Sequence, residues 1–227
     1  MPDKTVHVVF PLFDGAAALD FVAPHEAFSV VPGAHVTVAS VGGRNINASG
    51  MVFSNLSDLA EIERCDVLCI PGGFGTAKAM LDQAFMREIR RLASTAKYQT
   101  SVCTGALILG AAGLLRGKRA TTYWASRDTL QLFGAIVEEG RVVRDGNIIT
   151  GGGVTAGMDF ALAAIAEIFD QATAEDVQLL LEYTPEPPFE TVHPDDAPAE
   201  TTARLRKRID AGLAADRDAA EQAVRRL

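Results

Sequence analysis

Three β-favouring runs in this chain stop abruptly at small residues. DVLCI (66–70) ends at Pro71-Gly72-Gly73, YQTSV (98–102) at Cys103-Thr104-Gly105, and IIT (148–150) at Gly151-Gly152-Gly153. Helix-periodic stretches follow each junction, over 76–97, from Ala106 onward and over 155–169. Two more strand-like runs, 5–10 and 35–40, flank a helix pattern from Asp20 through Phe28. Repeated alternation of this kind predicts an α/β fold, a mostly parallel sheet with helices on both faces. Ligands of such sheets sit at the carboxyl ends of the strands, so the three junctions point to one site. Each glycine run alone is ordinary turn chemistry. Together, beside a candidate nucleophile, they read as backbone N–H groups brought close to a reacting atom.

Local signals divide the rest. Asp82 is a candidate cap that restarts the helix within 76–97, and Ser57 or Asp58 caps a helical turn over 57–63. Short strands are expected at 119–122, 135–137, 141–144 and 148–150, with Asp145-Gly146 a hairpin turn, and helices at 125–133 and 174–183. TPEPPFETVHPDDAP (184–198) carries five prolines and reads as an extended linker. The last stretch, 201–227, reads as an amphipathic helix with Leu205, Ile209, Leu213, Ala220, Val224 and Leu227 near one stripe. It is expected to pack on the domain or on a partner subunit. The expected organisation is an α/β domain over 1–184, a linker over 185–200 and the terminal helix over 201–227.

Composition limits the partners. A net charge of −8 argues against nucleic acid, and the one basic cluster, Arg204, Arg206, Lys207 and Arg208, lies in the terminal helix. No apolar run is long enough to span a membrane, and the opening MPDKTVHVVF lacks the features of a secretory signal. Three cysteines without framework spacing argue for a reducing compartment. The expectation is a cytoplasmic protein acting on a small molecule, with neither nucleic acid nor membrane as partner. Cys65 and Cys69 lack further ligands for zinc and read as buried packing.

Cys103 sits where a strand bends into a helix. That position pushes a side chain outward, as in the nucleophile elbow of hydrolases, and orphan N–H groups at the helix start favour thiolate. A free cysteine is also often a small buried hydrophobe. The Thr104-Gly105 pair at the bend favours the nucleophile reading. Its usual base is histidine, but His7 and His35 lie in expected strands, His193 in the linker, and His25 on a helix where a structural role is the more usual one. The remaining partner is Asp20, either a helix cap or a carboxyl with a raised pKa that passes protons. Thr104 either orients water or the carboxyl, or caps its helix.

The segments PGG (71–73), SVCTGALILGAAGLLRGKRATT (101–122) and GGGVTAGMDFAL (151–162) resemble the ThiJ/PfpI superfamily of class-I-glutamine-amidotransferase-like proteins, over residues 5–183. Within it, LDFVAPHEAF (19–28), VVRDGNIITGGGVTAGMDF (142–160) and VQLLLEYTPEPPF (177–189) are similar to the isocyanide (isonitrile) hydratases. The resemblance implies a flavodoxin-like sandwich, a homodimer, no metal and no organic cofactor. It implies a hydro-lyase in which Cys103 is the nucleophile and Asp20 its acidic partner, with Thr104 beside the thiol. The substrate would be an isocyanide, hydrated to an N-substituted formamide, with backbone N–H groups of Gly72, Gly73, Thr104 or Val154 holding the thiolate and developing charge. Many superfamily members carry histidine where this chain has Tyr123, which weighs against an amidase. The alternatives are a glyoxalase or deglycase acting on reactive carbonyls, whose relatives carry glutamate at the Asp20 position, and a redox or regulatory protein.

Overall fold

A computed structural model describes residues 5–191 and 193–227. The elements in chain order are β1 (Val6–Pro11), α1 (Ala18–Ser29), β2 (Ala34–Ser40), β3 (Ile46–Ala48), β4 (Met51–Phe53), β5 (Ser57–Asp58), β6 (Val67–Ile70), α2 (Thr76–Leu81) and α3 (Gln83–Thr95). They continue with β7 (Tyr98–Val102), α4 (Gly105–Ala111), β8 (Arg119–Ala120), α5 (Arg127–Gln131), β9 (Ile136–Val137), β10 (Val142–Asp145), β11 (Ile148–Gly151), α6 (Ala156–Ile168), α7 (Gln171–Leu180) and α8 (Ala199–Val224).

Seven strands form one sheet in the order β10-β11-β7-β6-β1-β2-β5. All neighbours pair in parallel except the β10–β11 hairpin at one edge. The central strands β6 and β7 are buried along their whole length, as a sheet covered on both faces requires. Phe10, Phe21, Phe28, Phe85 and Phe160 are among the largest side chains that are fully buried. The antiparallel pair β3–β4 and the short parallel pair β8–β9 stand outside the main sheet.

The cap readings are mixed. Asp82 caps α3 by accepting from the Ala84 and Phe85 N–H groups, and Asp58 accepts from Ala60 N–H at the start of a single 3-10 turn. The segment expected as one helix over 125–133 is a 3-10 turn, Trp124–Ser126, followed by α5. Asp20 caps nothing, because α1 begins at Ala18 with Ala17 in the cap position. Thr104 stands at the cap position of α4, yet its hydroxyl does not cap that helix. Both side chains face the site instead.

The terminal helix α8 packs against α2, α4 and α5. The half-buried or buried residues of its lower half are Ile209, Gly212, Leu213, Asp216, Ala219, Ala220, Ala223 and Val224. Leu205 and Leu227, expected on the apolar stripe, are exposed instead. The stripe narrows to small residues because alanines let α8 lie close to the domain.

Candidate active site

The three junctions converge at the carboxyl ends of β6, β7 and β11. Cys103 follows β7 with φ of 57°, a left-handed conformation that costs an ordinary residue roughly 1–2 kcal/mol. The bend is held on both sides. Cys103 N–H donates to the Gly151 and Gly152 carbonyls at 3.0 and 2.8 Å, and the Thr122 hydroxyl donates to the Cys103 carbonyl at 2.9 Å. Glycines allow the neighbouring loops to close around it. A Cβ on Gly105 would lie 2.2 Å from the Ile70 carbonyl oxygen, and one on Gly72 would lie 2.4 Å from the Thr104 nitrogen.

Asp20 reaches this bend from α1 and is fully buried. Its Oδ2 accepts from Gly72 N–H at 2.9 Å. The Cys103 thiol lies beside the carboxyl, and Oδ1 has no hydrogen-bond partner among the described residues. A buried carboxylate oxygen without a donor favours the protonated form. Burial accordingly lifts Asp20 to about 7, against the lowering effects of the Gly72 N–H and the thiol.

Cys103 does not match the expected resting thiolate. Burial, first, and then the Asp20 charge push the thiol well above its ordinary range, while the Thr104 and Val154 N–H groups pull the other way. The helix-start N–H groups are therefore present at sulfur, but desolvation wins. Burial thus shifts both members of the pair toward their protonated forms.

The expected N–H donors divide. Thr104 and Val154 direct theirs to the sulfur. Gly72 N–H is taken by Asp20, and Gly73 N–H by Thr104 Oγ1 at 2.9 Å. Both glycines therefore anchor the side chains around the sulfur instead of facing it. The Thr104 hydroxyl also pairs with that of Thr76 at 2.8 Å. It ties the Gly73 loop to the elbow.

Cys103, Thr104 and Val154 line a cavity of about 570 Å³. Its other walls include Ala16, Ala17, Gly73, Phe74, Tyr123 and Ser126, and Asn47, Ser49 and Gly50 around the β3–β4 turn. None of the four histidines lines it. His25 lies against Phe10, with ring centroids 6.1 Å apart, and borders a separate pocket. Trp124 does not line the cavity; the Arg206 guanidinium sits 4.9 Å over its ring. Cys65 and Cys69 are buried away from the cavity, and burial pushes both thiols up to about 12. One cluster with metal-ligating atoms, Glu139, His193 and Asp195, stands elsewhere. Arg127 already pairs with Glu139 at 2.6 Å and approaches His193 Nε2 at 3.4 Å, so a cation there would face a guanidinium.

Sequence reasoning missed the contribution of α8. Ile209, Gly212, Leu213 and Asp216 all line the Cys103 cavity. One signal was available: Asp216 interrupts the apolar stripe between Leu213 and Ala220 at helical spacing.

The model of the DJ-1/PfpI family matches residues 6–167, which hold the whole elbow and Asp20. The chain belongs to the DJ-1/PfpI family. An isonitrile hydratase from Pseudomonas putida is 42% identical to it over 225 residues, 98% of either chain. A ThiJ/PfpI family protein from Pseudomonas syringae, solved by crystallography, superposes with a TM-score of 0.91 at 37% identity, covering 95% of this chain and 90% of that one. Drosophila melanogaster DJ-1beta shares the fold with a TM-score of 0.72 at 24% identity, over 80% of this DJ-1/PfpI chain and all of its own. The expected flavodoxin-like sandwich is the fold observed. Among the described residues no helix is long and apolar enough to cross a membrane.

Proposed function

We propose that this protein is an isocyanide hydratase, converting R–N≡C and water into an N-substituted formamide. The observation that carries the reading is that the Cys103 thiol lines a cavity that no histidine lines and has a buried carboxyl, Asp20, beside it. Near-full-length similarity to an isonitrile hydratase supports it. Hydrolysis of an amide needs a proton for the departing amine, usually from imidazole. Hydration of an isocyanide expels no amine.

The steps balance with the residues present. The thiol passes its proton to Asp20 as sulfur attacks the terminal carbon, and Asp20 returns that proton to the same carbon. The product is the thioimidate R–N=CH–S–Cys103. Asp20 next takes a proton from water as the oxygen adds to this carbon, and the proton goes to nitrogen. The tetrahedral adduct collapses to R–NH–CHO, the C–S bond breaks, and the hydroxyl proton returns to sulfur by way of the carboxyl. A group with a pKa near neutrality is suited to both roles. Thr104 and Val154 N–H groups stabilise sulfur when it carries charge, and the Thr104 hydroxyl positions the Gly73 loop. The addition is redox-neutral, and no step calls on a metal or organic cofactor.

The proposal includes a homodimer. Leu19 and Val22 of α1 are exposed, as are Met51 and Val52 of β4. The two elements adjoin through Phe21 and Phe53, whose rings meet edge-on at 4.9 Å. An apolar surface of this kind suits a second copy of the chain.

The deciding experiment incubates the protein with benzyl isocyanide and follows the formyl proton of N-benzylformamide by NMR. Turnover by the wild type and its loss in Cys103→Ala are expected. Consumption of methylglyoxal with no action on isocyanides would replace the proposal with a carbonyl-directed activity.

A further inference from the structure

The family model ends at residue 167, whereas α8 begins at Ala199 and still forms one wall of the Cys103 cavity. The helix has two distinct lower segments. Ala219, Ala220 and Ala223 are buried in the core, while Ile209, Gly212 and Leu213 are only half-buried and face the cavity. The second segment is not needed to fill the core. It is nonetheless held in place at several points. Arg206 lies over the Trp124 ring, Phe74 packs against Gly212, where a Cβ would lie 3.5 Å from its ring, and the buried Asp216 carboxyl faces Ala77 N–H.

We propose that α8 is the specificity wall of the active site, and that Ile209 and Leu213 select isocyanides with a bulky, apolar R group. The substrate class rests on the hydratase reading; the position of the wall does not. Apolar side chains dominate the lining: Ala16, Ala17, Phe74, Val154, Ile209 and Leu213. A cavity of about 570 Å³ lies within the range of sites that enclose a whole small organic molecule. Methyl isocyanide would leave most of that apolar surface in contact with water. A benzyl or cyclohexyl group would displace the water, and each buried methylene increases affinity about four-fold. The reacting end is fixed at Cys103, so the R group extends toward the apolar walls.

The test compares benzyl with methyl isocyanide in the wild type, Ile209→Ala, Leu213→Ala and the double variant. The wild type is expected to favour the benzyl compound in kcat/KM by about 100-fold. Each single substitution is expected to lower that ratio about ten-fold, chiefly through KM for the benzyl compound. An unchanged ratio overturns the inference while leaving the hydratase reading intact. Wild-type protein that hydrates neither isocyanide overturns the hydratase reading instead. The wall is then tested without turnover, by mass-spectrometric rates of Cys103 alkylation with N-benzyl-iodoacetamide and iodoacetamide. A benzyl preference that falls in the variants supports the wall. A preference that is absent, or identical in all four proteins, removes it.

Discussion

The Asp20 carboxyl lies beside the Cys103 thiol beneath the cavity, with Asp20 fully buried and Cys103 only 6% exposed. Burial makes both groups costly to charge, and the Asp20 charge adds to the cost of ionising the thiol, whereas the neutral thiol eases ionisation of the carboxyl. A pair of this kind holds one proton between them over a wide range of pH and can move it a short distance onto substrate.

Activity is expected to rise with pH through about 7. Below that value Asp20 is protonated and cannot take the thiol proton; above it the pair carries the single proton that the addition needs. The check is a kcat/KM profile from pH 5 to 9, which should show a single ionisation near neutrality and no fall before the strongly alkaline range set by the raised thiol. A rate that declines from pH 5 upward would contradict this assignment.

Asp20→Asn is expected to reduce turnover at least 100-fold and to stabilise the fold at pH 8. Burial raises the folded-state pKa from 3.8 to about 7, so the folded protein holds this proton more tightly than the unfolded chain. The corresponding stability is fully present below pH 3.8 and is lost as pH rises to about 7. Asparagine can still accept from Gly72 N–H and has no such loss. The advantage of the variant should grow between pH 4 and 7 to the order of a few kcal/mol, measured by urea unfolding. Equal stability at pH 8 would place the carboxyl in a wetter site than the structure indicates.

Replacement of the nucleophile separates chemistry from strain. Cys103→Ala and Cys103→Ser are both expected to abolish detectable turnover. Cys103→Gly, equally inactive, should be about 1 kcal/mol more stable than Cys103→Ala, because glycine adopts φ of 57° without steric cost. Thermal unfolding of the two variants provides the comparison.

Thr104→Val removes the acceptor of Gly73 N–H and the partner of the Thr76 hydroxyl. Gly73 N–H is then left without its acceptor, while the Thr76 hydroxyl keeps its bond to the Gly73 carbonyl at 2.7 Å; the loss should cost about 1–3 kcal/mol and lower kcat by about ten-fold as the Gly73 loop loosens. Thr104→Ser keeps the hydroxyl and should recover most of both losses. If the serine variant is as impaired as the valine variant, the methyl group and not the hydrogen bonds positions the loop.

Gly72→Ala should inactivate the protein by displacing the elbow. The added Cβ would meet Thr104 nitrogen at 2.4 Å and Thr104 Oγ1 at 2.5 Å, so the elbow must move. Activity and Cys103 alkylation rate, measured together, would report that displacement.

The chain's own pattern was sufficient for the strand–helix alternation, the parallel sheet and the elbow. These depend on hydrophobic periodicity and on where glycine interrupts it, both of which are local. Asp20 was legible as a candidate, but not its surroundings: whether this residue caps α1 or turns inward to accept from Gly72 N–H depends on where the Gly72 loop lies. The resting state of Cys103 was misread because a helix start is visible in sequence, whereas desolvation depends on everything packed above it. The terminal helix was recognisable as amphipathic from its repeat. Its presence in the cavity wall was decided only when the chain folded, since residues 209–216 share the cavity with Cys103 across more than a hundred intervening positions, and no periodicity encodes proximity at that separation.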